Sequence, residues 1–299
     1  MFGRRRFWQI VSTLLGNGYL GFLWQRGLYR GWLKGICFPG LNCYSCPAAT
    51  MACPLGSLQQ SLASLRLMPG PAFQAVVYVL GTLILFALIL GRIICGWLCP
   101  FGLLQELLYR LPGVPKKISP RRIRWIKYAL LFLLVFFLPL ALTDITGYGK
   151  AWFCRLFCPA GTLEAGIFNL LLRPELRSLV GLLFYFKVFI LALIIFLCLI
   201  YFRFFCVVLC PLGAFYGLWQ RISLIRLHWE AQNCFDCHVC EDVCPVGLKI
   251  PEELNSAECI RCLQCLKACP SGGIRLEGPL NFIRQVDQPQ RSAKKQGHA

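Results

Sequence analysis

Three apolar runs decide most of what this chain can become: residues 72–94 (AFQAVVYVLGTLILFALILGRII), 125–143 (WIKYALLFLLVFFLPLALT) and 179–202 (LVGLLFYFKVFILALIIFLCLIYF). Each approaches the roughly 20 apolar residues that a helix needs to cross a bilayer core about 30 Å thick. That core offers no water to unpaired peptide groups, so such runs resolve into helices that bond internally. Composition points the same way, with 57% of residues hydrophobic and 15% charged. The N-terminal stretch MFGRRRFWQIVSTLLGNGYLGFLW has the basic start and apolar middle of a signal peptide without a small-residue cleavage site after it. It reads as an uncleaved, somewhat polar first span. The expected fold is therefore an all-α membrane bundle of about four transmembrane helices, with short amphipathic helices between them.

Charge placement sets the sides. The balance of 31 Lys and Arg against 13 Asp and Glu, +18 in all, would suit nucleic acid if it lined a polar face. Here the bases flank apolar runs instead, which argues against nucleic acid. Between two of the runs lie Arg92, Arg110, Lys116, Lys117, Arg121, Arg122, Arg124 and Lys127 against the single acid Glu106, so this loop is expected in the cytoplasm. Residues before position 72 and residues 144–178 then fall outside, and everything after Phe202 returns to the cytoplasm. The outer segment is nearly balanced, with Lys150, Arg155, Arg173 and Arg177 against Asp144, Glu164 and Glu175. An inner-membrane, multi-pass location is the expectation.

Nineteen cysteines exceed what packing would use, and most fall in short-spaced groups that call for metal or disulfide chemistry. Residues 234–245 read CFDCHVCEDVCP and residues 259–270 read CIRCLQCLKACP. This is C-x2-C-x2-C-x3-C-P twice over, the two-cluster ferredoxin signature, in which three thiolates of a run hold one cubane and the fourth crosses to the other. Cys234, Cys237, Cys240 and Cys269 are thus expected to share one 4Fe-4S cluster, and Cys259, Cys262, Cys265 and Cys244 the other. Zinc more often takes two C-x2-C pairs, and a cytoplasmic tail disfavours disulfides. The letters CFDCH also match a haem-attachment motif, but both thiols already belong to the ferredoxin run, and His238 reads as a loop residue. The expected layout is a transmembrane iron-sulfur domain over 1–227, a small α+β ferredoxin domain over 228–284 and a disordered polar tail over 285–299.

A second motif repeats in the membrane part: CGWLCPFG (95–102), CRLFCPAG (154–161) and CVVLCPLG (206–213), with a variant in NCYSCPAATMACPLG (42–56). Thiols at i and i+4 share one side of a helical turn, proline closes that turn, and glycine admits the close backbone approach a cluster needs. One such pair supplies two ligands and must meet another pair. On the expected topology Cys95 and Cys99 meet Cys206 and Cys210 at the inner side. Cys154 and Cys158 lie outside with Cys43, Cys46 and Cys53, five thiols for four corners. Disulfides are the competing chemistry there, since outer compartments are often oxidising; the shared C-P-x-G form favours a common role. Cys37 is close enough to be a reserve ligand, and Cys198 reads as packing. Arg92, Arg155, Arg203 and Lys187 border the motifs, where cations would offset the negative charge of a cluster with four thiolates. Snorkelling at the span ends is the simpler reading for Arg92, Arg203 and Lys187.

At these motifs, over residues 72–272, the chain resembles the membrane-anchored polyferredoxins, the four-helix iron-sulfur subunits that accompany quinol-linked periplasmic nitrate reduction and nitrous-oxide reductase maturation. Cys95/Cys99, Cys206/Cys210 and the ferredoxin tail carry the likeness; the additional set of Cys43, Cys46, Cys53, Cys154 and Cys158 departs from it. The resemblance implies electron transfer between membrane quinol or a cytoplasmic donor and a redox partner across the membrane. The chain has no P-loop, no G-x-G-x-x-G after a strand and no nucleophilic triad. An electron-transfer subunit with four 4Fe-4S clusters, serving redox partner subunits on one or both faces, is therefore the expectation. A quinol dehydrogenase subunit with a quinone site near Lys187, Glu164 and Asn169 is the alternative, and a regulatory iron-sulfur sensor a third.

Overall fold

The computed structural model describes residues 3–25, 27–111 and 123–278. Lys116, Lys117, Arg121, Arg122 and the polar segment 285–299 lie outside the described residues. Among the described residues, three helices are long and apolar enough to cross a bilayer: Pro69–Leu90, Ile123–Ala141 and Leu182–Ile200. In chain order the helices used below are α1 (Gly3–Gly16), α2 (Pro54–Ala63), α3 (Pro69–Leu90), α4 (Ile93–Trp97), α5 (Pro100–Leu108), α6 (Ile123–Ala141), α7 (Trp152–Leu156), α8 (Gly161–Leu172), α9 (Leu182–Ile200) and α10 (Pro211–Leu218).

Local chemistry fixes the span ends. Pro69 stands in the first turn of α3, where its missing N–H costs nothing, and Gly91 at φ 56 ends the helix. α9 follows an extended Gly181 and stops at Tyr201. The expected fourth span is not among these helices. α1 has 14 residues, short of the roughly 20 that a crossing needs, and it packs on α4 and α5. Its Gln9 and Ser12 side chains donate to the Gly96 and Leu98 carbonyls at 2.9 Å each.

The three spans turn large apolar side chains outward, among them Phe73, Leu85, Phe132, Phe137, Phe189 and Phe196. An inner stripe is buried, including Val76, Val79, Leu83 and Ala87 of α3, Leu131, Leu134 and Val135 of α6, and Leu191, Ile194 and Cys198 of α9. Water would oppose such a surface, whereas lipid matches it. One continuous core joins these stripes to Cys37, Cys53, Cys95, Cys99, Cys158, Cys206 and Cys210.

The spacers fold back into that core. α2 packs on α3 across the short turn Ser64–Met68. At 1.5 Å per residue a ten-residue helix is about 15 Å long, and Cys53, at its start, joins the core shared with α3. The segment 202–278 forms a second core, with Leu227, Val246, Leu248, Leu254, Ile260 and Ile274 buried around Cys244, Cys259 and Cys265. Two short antiparallel strands, β1 (Arg226–Trp229) and β2 (Ile274–Glu277), close it in the register Arg226 to Glu277 and Trp229 to Ile274.

Candidate iron-sulfur sites

The second cysteine of each repeat occupies a helix N-cap. Cys53, Cys99 and Cys210 are extended there, followed by Pro54, Pro100 and Pro211 in the first turn. The motif glycine stands three residues after the thiol, and its amide faces it: Gly161 N donates to Cys158 Sγ at 3.3 Å and Gly213 N to Cys210 Sγ at 3.4 Å. C-P-x-G thus aims the positive end of a helix at a sulfur, which favours the thiolate that iron binds.

Cys95, Cys99, Cys206 and Cys210 form one mutually interacting group. The two repeats that supply it exchange arginines. Arg92 stands three residues before Cys95 and donates to the Cys206 carbonyl at 3.1 Å. Arg203 stands three residues before Cys206 and donates to the Cys95 carbonyl. Each guanidinium passes over the other repeat's glycine: a Cβ on Gly102 would lie 3.3 Å from Arg203 Cζ, and one on Gly213 would lie 3.3 Å from Arg92 Nη2. Both arginines are fully buried and paired with acids, Arg203 with Glu106 at 2.6 Å and Arg92 with Glu258 at 3.3 Å.

Of the five thiols in the other membrane group, four meet. Cys158 interacts with Cys43, Cys53 and Cys154, and Cys43 with Cys53. A Cβ on Gly161 would touch Cys158 and Cys43, and one on Gly56 would touch Cys154. Cys46 has Glu164 and Lys34 as its charged neighbours. Every cysteine carries a free thiol, so these sulfurs are not joined in disulfides. Burial pushes the Glu164 carboxyl up to about 7, against the Cys43 amide that donates to it at 2.7 Å.

The two membrane groups lie side by side. The Leu41 amide faces Cys99 and the next amide, Asn42, faces Cys53. Tyr216 neighbours thiols of both groups and donates to the Pro39 carbonyl at 2.7 Å. Consecutive amides thus reach one thiol of each group, Cys99 and Cys53, so the two groups approach each other at these sulfurs.

In the tail, one cavity is lined by Cys234, Cys237, Cys240 and Cys269, and another by Cys244, Cys259, Cys262 and Cys265. The backbone does the same thing in both runs. Asp236 and His238 (φ 52 and 53) and Arg261 and Leu263 (φ 47 and 61) are left-handed at matching positions, two and four residues after the first cysteine. These turns curl each run around its cavity. His238 is one of the turning residues, with an exposed imidazole 3.8 Å from Glu241. Burial pushes the Cys259 thiol up to about 12 and pulls the Arg261 guanidinium down to about 10, which the Cys259 thiolate opposes, so Arg261 stays charged at neutral pH.

The second run abuts the membrane group. A Cβ on Gly96 would lie 2.5 Å from the Ile260 carbonyl. Trp97 Nε1 donates to the Arg261 carbonyl at 3.1 Å, and Gln220 Nε2 to the Cys259 carbonyl at 2.9 Å. Several bases of the expected cytoplasmic loop hold the tail as well: Arg92 donates to the Ala257 carbonyl at 2.6 Å, Arg124 to the Val246 carbonyl at 2.9 Å, and Lys127 to Glu258 at 2.5 Å. Sequence reasoning missed Glu258 and Arg261 and named Lys127 only as a loop base, without its partner Glu258. Arg155 is exposed and Lys187 half-buried, and among the described residues neither carries a recorded bond to a thiol.

These residues fit 4Fe-4S clusters. All donors are thiols, in groups of four, and the Nε–H groups of Arg92, Arg203 and Arg261 are buried beside them without a partner, as suits a negatively charged occupant. Among the described residues no three His, Cys, Asp or Glu side chains close on a single metal ion. A cubane holds its thiolates at four separate irons, farther apart than the ligands of one ion.

Spans, buried thiol quartets and a cysteine-lined tail define a membrane protein of the iron-sulfur, electron-transport class. The 4Fe-4S binding domain family matches residues 72–122, 128–176 and 183–230, and the 4Fe-4S dicluster domain family matches residues 223–285. Two uncharacterized proteins of Methanocaldococcus jannaschii are similar: MJ0749, 31% identical over 64% of this chain and 66% of its own length, and MJ0750, 35% identical over 62% and 72%. The methylamine utilization ferredoxin-type protein MauN of Methylobacillus flagellatus is 31% identical over 62% of this chain and 58% of its own length. The chain therefore spans 66%, 72% and 58% of the lengths of these three relatives. No solved structure matches it. The chain belongs to the membrane polyferredoxin-like family of 4Fe-4S proteins.

Proposed function

We propose that this chain is an electron-transfer subunit of the inner membrane that passes single electrons through four 4Fe-4S clusters. Residues 1–227 form its transmembrane part and residues 228–284 its cytoplasmic ferredoxin part. Cys234, Cys237, Cys240 and Cys269 hold the first cluster; Cys244, Cys259, Cys262 and Cys265 the second; Cys95, Cys99, Cys206 and Cys210 the third; Cys43, Cys53, Cys154 and Cys158 the fourth. Each cluster, when bound, supplies one-electron chemistry at a potential that its surroundings tune. The protein's part is to space the quartets and exclude water.

The observation that carries this reading is contiguity. The first two quartets exchange Cys244 and Cys269, the second touches the third through Gly96 and Ile260, and the third and fourth are faced by consecutive amides. Cys237 is the exposed thiol among the nineteen, which supports contact with a soluble redox partner at the first quartet. Iron and acid-labile sulfide on anaerobically purified protein test the proposal. We expect about 16 irons per chain, four in each of four cubanes; about 8 would confine clusters to the tail and refute it.

A further inference from the structure

The four C-P-x-G motifs share one more register. Six residues beyond the second thiol stand Gln59, Gln105, Glu164 and Tyr216. The two glutamines are fully buried and reproduce each other's bonds. Gln59 Nε2 donates to the Leu55 carbonyl and to Cys154 Sγ, both at 3.3 Å, while Oε1 accepts from the Phe153 amide at 2.9 Å. Gln105 Nε2 donates to the Phe101 carbonyl at 3.2 Å and to Cys206 Sγ at 3.0 Å. Its Oε1 accepts from the Cys206 amide at 3.4 Å and the Cys198 thiol at 3.5 Å. A backbone amide can only donate, so the carboxamide oxygen must face it and the NH2 group must face the sulfur.

Each glutamine also crosses between repeats. Gln59 leaves the motif of Cys53 for the first thiol of the Cys154 motif, and Gln105 leaves the motif of Cys99 for the first thiol of the Cys206 motif. A buried carboxamide is costly wherever a bond is missing, and packing alone would be served by leucine. An N–H bonded to a ligand sulfur withdraws charge from it, which favours the reduced, more negative cluster.

Resting on the cluster assignment above, we infer that Gln59 and Gln105 are matched positioning residues, each donating one N–H to a ligand thiolate of a different membrane cluster and raising its reduction potential. Because the donors are equivalent, each glutamine raises the potential of its own cluster in the same direction.

Potentiometric titration followed by electron paramagnetic resonance, with iron content, tests this on the full chain carrying Gln59→Leu, Gln105→Leu, Gln59→Glu or Gln105→Glu. Glutamate keeps the oxygen that the backbone amide needs and replaces the donor. Each variant should retain its iron and shift one cluster signal to lower potential, a different signal for each position, with both tail signals unmoved. Wild-type potentials at full iron overturn the inference. Loss of a cluster from both variants at a position makes that glutamine structural and also overturns it. About 8 irons in the unsubstituted protein, with tail signals alone, would instead remove the assignment beneath it.

Discussion

At the scale of single residues, the second membrane quartet separates two cysteines three positions apart. Cys43 meets Cys53 and Cys158, whereas Cys46 faces Glu164 and Lys34. Cys43→Ser should therefore cost one cluster, about 4 irons per chain, while Cys46→Ser should keep the full complement; colorimetric iron on the two variants checks it, and the reverse pattern would exchange their roles. The thiols themselves were readable because ligand chemistry restricts both residue type and spacing. The choice among Cys43, Cys46 and Cys53 was not, because it depends on where the fold brings Cys158. Gln59 and Gln105 were equally hidden: a polar residue on one turn of a short helix declares no partner until the opposing repeat arrives. The left-handed Asp236, His238, Arg261 and Leu263 were unreadable for another reason. Non-glycine residues seldom adopt that conformation, and a ligand-wrapping loop overrides the local preference.

At the scale of elements, α6 and the end of α3 are tied to the tail by one carboxylate. Glu258 receives Lys127 at 2.5 Å and Arg92 at 3.3 Å, both cations being fully buried. Glu258→Gln would leave two buried cations without their counter-charge, a loss of about 3–5 kcal/mol. The tail of that variant should be released first by trypsin, at temperatures where the unsubstituted chain is protected, and unchanged protection would show that the pair is dispensable. The spans were readable to within a few residues because lipid demands length and apolarity and little else. The excess of bases beside them was readable too, but its use was not: Arg92, Arg124 and Lys127 serve as tail anchors. α1 covers 14 residues of the expected first span, and its Gln9 and Ser12 donate to the Gly96 and Leu98 carbonyls, contacts that apolar spacing does not announce.

At the scale of the whole molecule, the ferredoxin part and the membrane part share a seam with no slack. Gly96 meets the Ile260 carbonyl backbone to backbone, so no side-chain rotation can make room for a methyl group. Gly96→Ala should destabilise the docked state by about 1–3 kcal/mol and widen the gap between the second and third quartets. Rapid-freeze resonance after reduction at the tail should then show the tail signals forming as before and the membrane signals delayed; equal rates would mean that electrons do not cross at this seam.

The exchange of Arg92 and Arg203 between repeats also constrains how the protein comes into being. Translation produces Cys95 and Cys99 long before Arg203, Cys206 and Cys210 exist, and the carbonyl of Cys95 has no guanidinium above it until the last span has been inserted. On the proposed assignment, Cys95 and Cys99 would therefore wait, reduced and unmetallated, until the later repeat is made. On that assignment, iron and sulfide would complete this quartet only once both halves of the chain have met, which would make cofactor loading a late event in biogenesis and leave prematurely terminated chains without Cys206 and Cys210.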